Sequence, residues 1–261
     1  MCFNKWWSLA FTAFACGVSG WVWSGKGFWK KIQRWQRNRI AWFFVYFASM
    51  EILQFFQYLV INNCTSKLNI FLTILGFVHI CFQPLVTNIA FSAIDPKNLD
   101  KQREETWMFI IKFCGVTGFF LAFRILPPLF SDNFDKFFLF DKCGDKEGVC
   151  APQTCTVMGT YHLAWGWKLL KPSYTFPNVA IHFFTMFFPA LLLGLYFQSI
   201  ILFLSGPVLA QIWAKKTSDG ERAAIWCFFS IAESTVTGVT SYLACRKQLQ
   251  QRELMPLEDN P

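Results

Sequence analysis

The chain has 261 residues, of which 54% are hydrophobic and 19% aromatic, with 32 Phe and 12 Trp, and this is too apolar for a soluble domain of its length. Its net charge of +8 would suit a nucleic-acid partner. However, Lys and Arg stand at the ends of apolar runs and form no basic domain with stacking aromatics, so nucleic acid is excluded as a partner and the charges read as orientation signals in a lipid bilayer. Apolar stretches of about 20 residues match the thickness of a bilayer core. The predicted class is all-α, a single polytopic transmembrane helical bundle over residues 1–261, with seven spans expected and six as the alternative.

A first span is expected at about 6–23. Lys26, Lys30, Lys31, Arg34, Arg37 and Arg39 follow it and only Lys5 precedes it, the reverse of a cleaved signal. It reads as a retained helix with its N-terminus on the exterior, lumenal or periplasmic side. Span 2, about 40–61, places Glu51, Gln54 and Tyr58 on one face at steps of three and four. Span 3, about 68–94, contains His79, Gln83 and Pro84 and ends at the turn signal Asp95-Pro96-Lys97. Span 4, about 106–126, ends at Pro127-Pro128, with Lys112 and Arg124 near its two ends, where long cationic side chains reach the interface.

Residues 131–175 are mixed in charge and rich in turn formers, and form the one substantial extramembrane loop. Its segment Tyr161-His162-Leu163-Ala164-Trp165-Gly166-Trp167 reads as an aromatic anchor at the interface, with a lid or ligand platform built on His162 and Trp165 as the alternative. The apolar run 176–213 corresponds to roughly 57 Å of helix, long for one crossing and cramped for two. Pro189, Gly194, Gly206 and Pro207 are its available breakers. The last span, about 223–245, carries Ser230, Ser234, Thr237 and Ser241 as a polar stripe beside Glu233. Charge counting orients the first hairpin, but Lys215, Lys216 and Arg222 and the tail's Arg246, Lys247 and Arg252 cannot all face inward in a seven-span chain.

Of the ten cysteines, Cys16, Cys81, Cys114 and Cys227 fall within spans, where a thiol acts as a small apolar group. Cys64, Cys143, Cys150 and Cys155 fall in two loops expected on the same outer face. They read as two disulfides in an oxidising compartment, with three pairings open and a zinc site as the rival. The spacings within 143–155 fit no common zinc-finger pattern. Asn63-Cys64-Thr65 matches a glycosylation sequon on that side.

Several segments carry a resemblance: Met1-Cys2, Met50–Gln54 (MEILQ), His79–Pro84 (HICFQP), Cys143…Cys150…Cys155-Thr156 leading into Gly159–Trp165 (GTYHLAW), GPVLA from Gly206 and WCFFSI from Trp226. Together they resemble an uncharacterised family of multi-span membrane proteins found in bacteria and some eukaryotes. The resemblance covers most of the chain. It implies a helical bundle with lumenal or periplasmic cysteines and implies no activity. His182 and Glu233 lie outside the shared motifs.

An ionisable group inside a span must face the bundle interior or a partner. Glu51 and Gln54 on span 2 and His79 and Gln83 on span 3 are expected to form a polar pocket for a proton, a cation or a small solute. An interhelical hydrogen-bond clamp is the plainer alternative. A haem or transition metal is a further possibility, with His79 and His162 as ligands. Three histidines exclude a His-rich diiron centre. No phosphate loop, GxSxG elbow or HExxH motif occurs, and the last span has no lysine for a retinal Schiff base. The functional readings are thus binding or passage of a small solute or proton, a metal-dependent membrane enzyme or electron carrier, or an accessory subunit whose Phe-rich surface docks onto a larger membrane complex.

Overall fold

The apolar runs become helices whose buried stripes determine how they pack. The computed structural model describes residues 4–97, 100–126, 150–170 and 178–254. Asn4 caps α1 (Lys5–Ser24) by accepting from the Trp6 amide, and Gly25 ends it at φ 62°. The buried residues of α1 are Ser8, Thr12, Ala15, Ser19 and Val22, alternating steps of four and three. This stripe of mostly small side chains lets the backbone of α2 (Arg34–Leu59) approach closely. Ser19 Oγ donates to the Ala41 carbonyl at 3.0 Å across that seam.

α3 (Lys67–Ile94) and α4 (Lys101–Phe123) follow, the latter capped by Asp100. The outer face of α4 is a ladder of exposed Phe109, Phe113, Val116, Phe119, Phe120 and Phe123. α5 (Val179–Leu192) is capped by Asn178 and ends in a turn at Leu193-Gly194, where Gly194 takes φ 81°. α6 (Tyr196–Trp213) runs back along α5, with Ser199 Oγ donating to the Phe187 carbonyl at 2.8 Å. The run left open in the sequence therefore makes two antiparallel helices. α6 carries a π-helical turn at Leu204–Val208, around the Gly206-Pro207 pair that the helix must accommodate. α7 (Asp219–Leu254) completes the bundle. α2, α3, α4 and α6 are long and apolar enough to cross a membrane by length and composition, and α5 is a shorter apolar helix.

Contacts define two ends of the bundle. At one, the C-termini of α2 and α4 and the N-termini of α3 and α7 surround an antiparallel hairpin, β1 (Cys155–Met158) and β2 (Leu163–Gly166), in the register Cys155↔Gly166 to Met158↔Leu163. At the other, Asp95 after α3 accepts from Arg103 Nε at 2.6 Å and Trp107 Nε1 at 2.7 Å, both on α4. Arg103 also donates from Nη2 to the Leu193 carbonyl, tying the α5–α6 turn to the same end. The α1–α2 connection lies there too, where Phe28 meets Tyr242 of α7 with ring centroids 4.3 Å apart.

Three expectations change. Trp165 and Trp167 are 3% and 2% exposed, so the aromatic segment is seated inside the protein instead of forming an interface belt. Arg124 does not reach outward: it is 1% exposed and its Nε and Nη2 donate to the Leu170 carbonyl at 2.9 and 2.7 Å. Within the loop expected at 131–175, only residues 150–170 are described, and Cys143 lies outside them. The side chains of Ser230, Glu233, Ser234 and Thr237 also lie outside the described residues, while Ser241 is buried on α7.

Candidate functional site

The expected pocket residues divide among three surroundings, and no hydrogen bond joins the α2 pair to the α3 pair among the described residues. Glu51 is 1% exposed, faces Ser8 of α1 without a closed hydrogen bond, and has both carboxyl oxygens unpartnered. Gln54, one turn along, accepts at Oε1 from the hairpin and leaves Nε2 unpartnered. His79 stacks on Tyr46 of α2 at 4.0 Å, and its Nε2 lies 2.8 Å from the Tyr46 carbonyl and 3.2 Å from Ser49 Oγ. Gln83 turns the other way and donates from Nε2 to Cys227 Sγ of α7 at 3.7 Å. A step of four residues rotates about 40° round a helix, enough to send His79 and Gln83 to different neighbours.

The hairpin is held by a dense polar seat. Thr156 donates from its amide to Asn69 Oδ1 at 2.9 Å, and its hydroxyl meets that of Thr73 at 2.7 Å. Gln57 accepts from Trp165 Nε1 at 2.9 Å and itself donates to the Leu72 carbonyl. The Cys64–Cys155 disulfide fixes the seat covalently, and Cys150 is disulfide-bonded as well. Glu221, in the first turn of α7, accepts the amides of Tyr161 and His162 at 2.5 and 3.0 Å. That approach requires glycine at Gly220, where a Cβ would stand 1.9 Å from the Trp165 carbonyl oxygen.

His162 lies at the centre of this seat and is fully buried. Its Nε2 is 3.0 Å from Gln54 Oε1, which can only accept, so Nε2 carries the proton. Nδ1 then accepts from the Tyr58 hydroxyl. Burial pushes the imidazole down to about 3, which keeps it neutral. Both ring nitrogens are engaged within the protein. Among the described residues, no group of three or more His, Cys, Asp or Glu is placed to hold a metal ion.

Between α3, α5, α6 and α7, just beneath Trp167, lies a cavity of about 390 Å³. Its walls are aromatic, with Phe77 paired to Trp167 at 5.2 Å and Phe183 stacked on Trp226 at 5.2 Å. Pro207 and Ala210, in and after the π-helical turn, leave room on the α6 side. Asp219 and Arg222, ion-paired to each other, stand with Gln211 at the hairpin end. Deeper, the lining includes Gln83, Cys227 and His182. His182 is 2% exposed and neither ring nitrogen has a hydrogen-bond partner. Of the expected pocket residues, Gln83 lines this space and Glu51, Gln54 and His79 do not. Sequence reasoning set His182 aside; its signal was a titratable side chain inside the apolar run 176–213.

Fold and site together define a helical bundle with four membrane-length apolar helices, a disulfide-clamped hairpin at one end and an aromatic cavity beneath it. The chain belongs to a family of unknown function, DUF5765, whose model matches residues 13–250. No curated protein and no solved structure matches it.

Proposed function

We propose that the chain is an integral membrane protein of seven crossings that binds a small, largely apolar molecule in the cavity beneath the hairpin. The observation that carries this reading is a cavity of about 390 Å³, a typical ligand-site volume, with a buried imidazole in its wall whose ring nitrogens have no hydrogen-bond partner. A buried polar group left unbonded costs roughly 1–3 kcal/mol, and a ligand that answers it recovers that cost.

Alternation of helix direction from α1 to α7 supports seven crossings. The Cys64–Cys155 disulfide supports placing the hairpin on an oxidising side, whether exterior, lumenal or periplasmic. Lys26, Lys30, Lys31, Arg34 and Arg37 gather at the opposite end, as inward-facing positive charge does; Lys215 and Lys216 at the hairpin end count against them. The test is native mass spectrometry of the gently extracted protein. It should carry a small non-protein mass that Ala223→Trp, which fills the cavity, abolishes. An adduct-free protein, or one equally loaded in the variant, refutes the reading.

A second reading, proton movement from the hairpin end, is favoured by the unpartnered Gln54 Nε2 and Glu51 carboxyl, about one and two turns before Tyr58 on α2. Proton flux into liposomes that survives Glu51→Gln would remove it.

A further inference from the structure

The chemistry of the cavity wall narrows what it accepts; this rests on the cavity reading above. We infer that the ligand is a neutral, hydroxyl-bearing molecule with an unsaturated hydrocarbon tail, its hydroxyl bridging His182 and Gln83.

The hydroxyl follows from what the deep wall offers. Gln83 Nε2 is engaged by Cys227 Sγ, and among the described residues no hydrogen bond reaches Oε1, which leaves it as an acceptor in the cavity lining. His182 sits edge-on to Trp226 at 5.8 Å and to Phe183 at 6.0 Å, and among the described residues the one carboxylate of the cavity wall, Asp219, is already paired with Arg222, so the ring is read as neutral. The neutral ring has one N–H donor and one acceptor nitrogen. Rotation about χ2, a soft torsion, turns either nitrogen towards the cavity. One donor and one acceptor facing a single space are both answered by one hydroxyl, which accepts from the imidazole N–H and donates to the amide oxygen. A ketone or ether would leave Gln83 unanswered, and a hydrocarbon would leave both.

Neutrality follows from the charges. Among the described residues, the charged side chains lining the cavity are Asp219 and Arg222, which are paired with each other at its hairpin end. A carboxylate or ammonium carried down to His182 would meet no counter-charge, and burying an uncompensated charge is prohibitive. The tail follows from the two aromatic pairs, whose ring faces favour unsaturated or planar partners over branched saturated ones.

The experiment is saturable binding of radiolabelled farnesol to the full chain in lipid nanodiscs, against empty discs, with farnesene and farnesoic acid as competitors at pH 8. Farnesol should bind at least tenfold more tightly than farnesene, and farnesoic acid should not compete. His182→Phe and Gln83→Leu should each remove that tenfold advantage while leaving the affinity for farnesene unchanged. Equal affinity for farnesol and farnesene overturns the hydroxyl assignment and leaves the cavity reading standing, and stronger competition by farnesoic acid overturns neutrality. No saturable binding of any probe, or binding indifferent to Ala223→Trp, overturns the cavity reading together with this one. Because the farnesol–farnesene comparison is made on the unaltered protein, the outcome does not depend on either variant folding.

Discussion

Replacing His162 by Gln should remove one proton from the acid-induced release of the hairpin. In its seat the imidazole is neutral, titrating near 3, while in the released hairpin it returns to its ordinary value of 6.5. The folded state therefore holds fewer protons than the released state between those limits, and low pH favours release. The docking contribution is complete above about 6.5, declines as the pH falls, and is exhausted near 3. At pH 5 the released imidazole is charged by 1.5 units of pH, which at about 1.4 kcal/mol per unit gives a loss of about 2 kcal/mol, or roughly 30-fold in the docking equilibrium. The hydrogen bonds act in the same direction: a proton on Nδ1 would face the Tyr58 hydroxyl that now donates to it. Hydrogen exchange of the hairpin amides, corrected for intrinsic rates, would follow the loss from pH 8 to pH 5. The wild-type protein should lose about 30-fold more protection than His162→Gln over that interval. Parallel profiles would refute both the neutral tautomer and the coupling of its burial to docking.

Other substitutions test the frame around the seat. Gly220→Ala should cost about 1–3 kcal/mol by forcing a Cβ against the Trp165 carbonyl, seen as faster exchange in β2 with the far end of the bundle unchanged. Cys64→Ser should lower stability by about 2–4 kcal/mol through the lost cross-link over a sequence separation of 91 residues, read as a lower unfolding midpoint in detergent. At the opposite end, Asp95→Ala strips the acceptor from Arg103 and Trp107 and should cost about 2–4 kcal/mol. Because Arg103 also holds the α5–α6 turn, that variant should loosen α5 as well as α4, and unaltered proteolysis at Leu193-Gly194 would count against the link.

The helices were legible because each apolar run exceeds what a soluble element needs, and Gly194, one of the breakers named in the sequence, does turn the chain; the cap at Asp100 starts α4 five residues before its expected beginning. The hairpin was not. Its strands are four residues each, and the partners that bury it, Asn69, Gln57 and Glu221, come from three distant helices. Arg124 looked like an interfacial cation because its position in α4 is terminal; only the fold reveals the Leu170 carbonyl, 46 residues away, that it serves. The expected pocket failed to assemble for a related reason. Spacing along one helix tells which residues share a face, yet it carries no information on how α2 and α3 are rotated towards each other, and so His79 meets Tyr46 while Gln83 meets Cys227. Composition pointed to a membrane, but His182 became notable only once its ring nitrogens proved to have no partner.

The Cys64–Cys155 bond also bears on how the chain is made. Cys64 precedes α3 and Cys155 follows α4, so the two thiols meet only after both intervening helices have been synthesised and placed. On the proposed membrane reading, a nascent chain in which just one of the pair had crossed would hold the two thiols on opposite faces, unable to meet. Under that reading, the closed bond is a covalent record that α3 and α4 were inserted together.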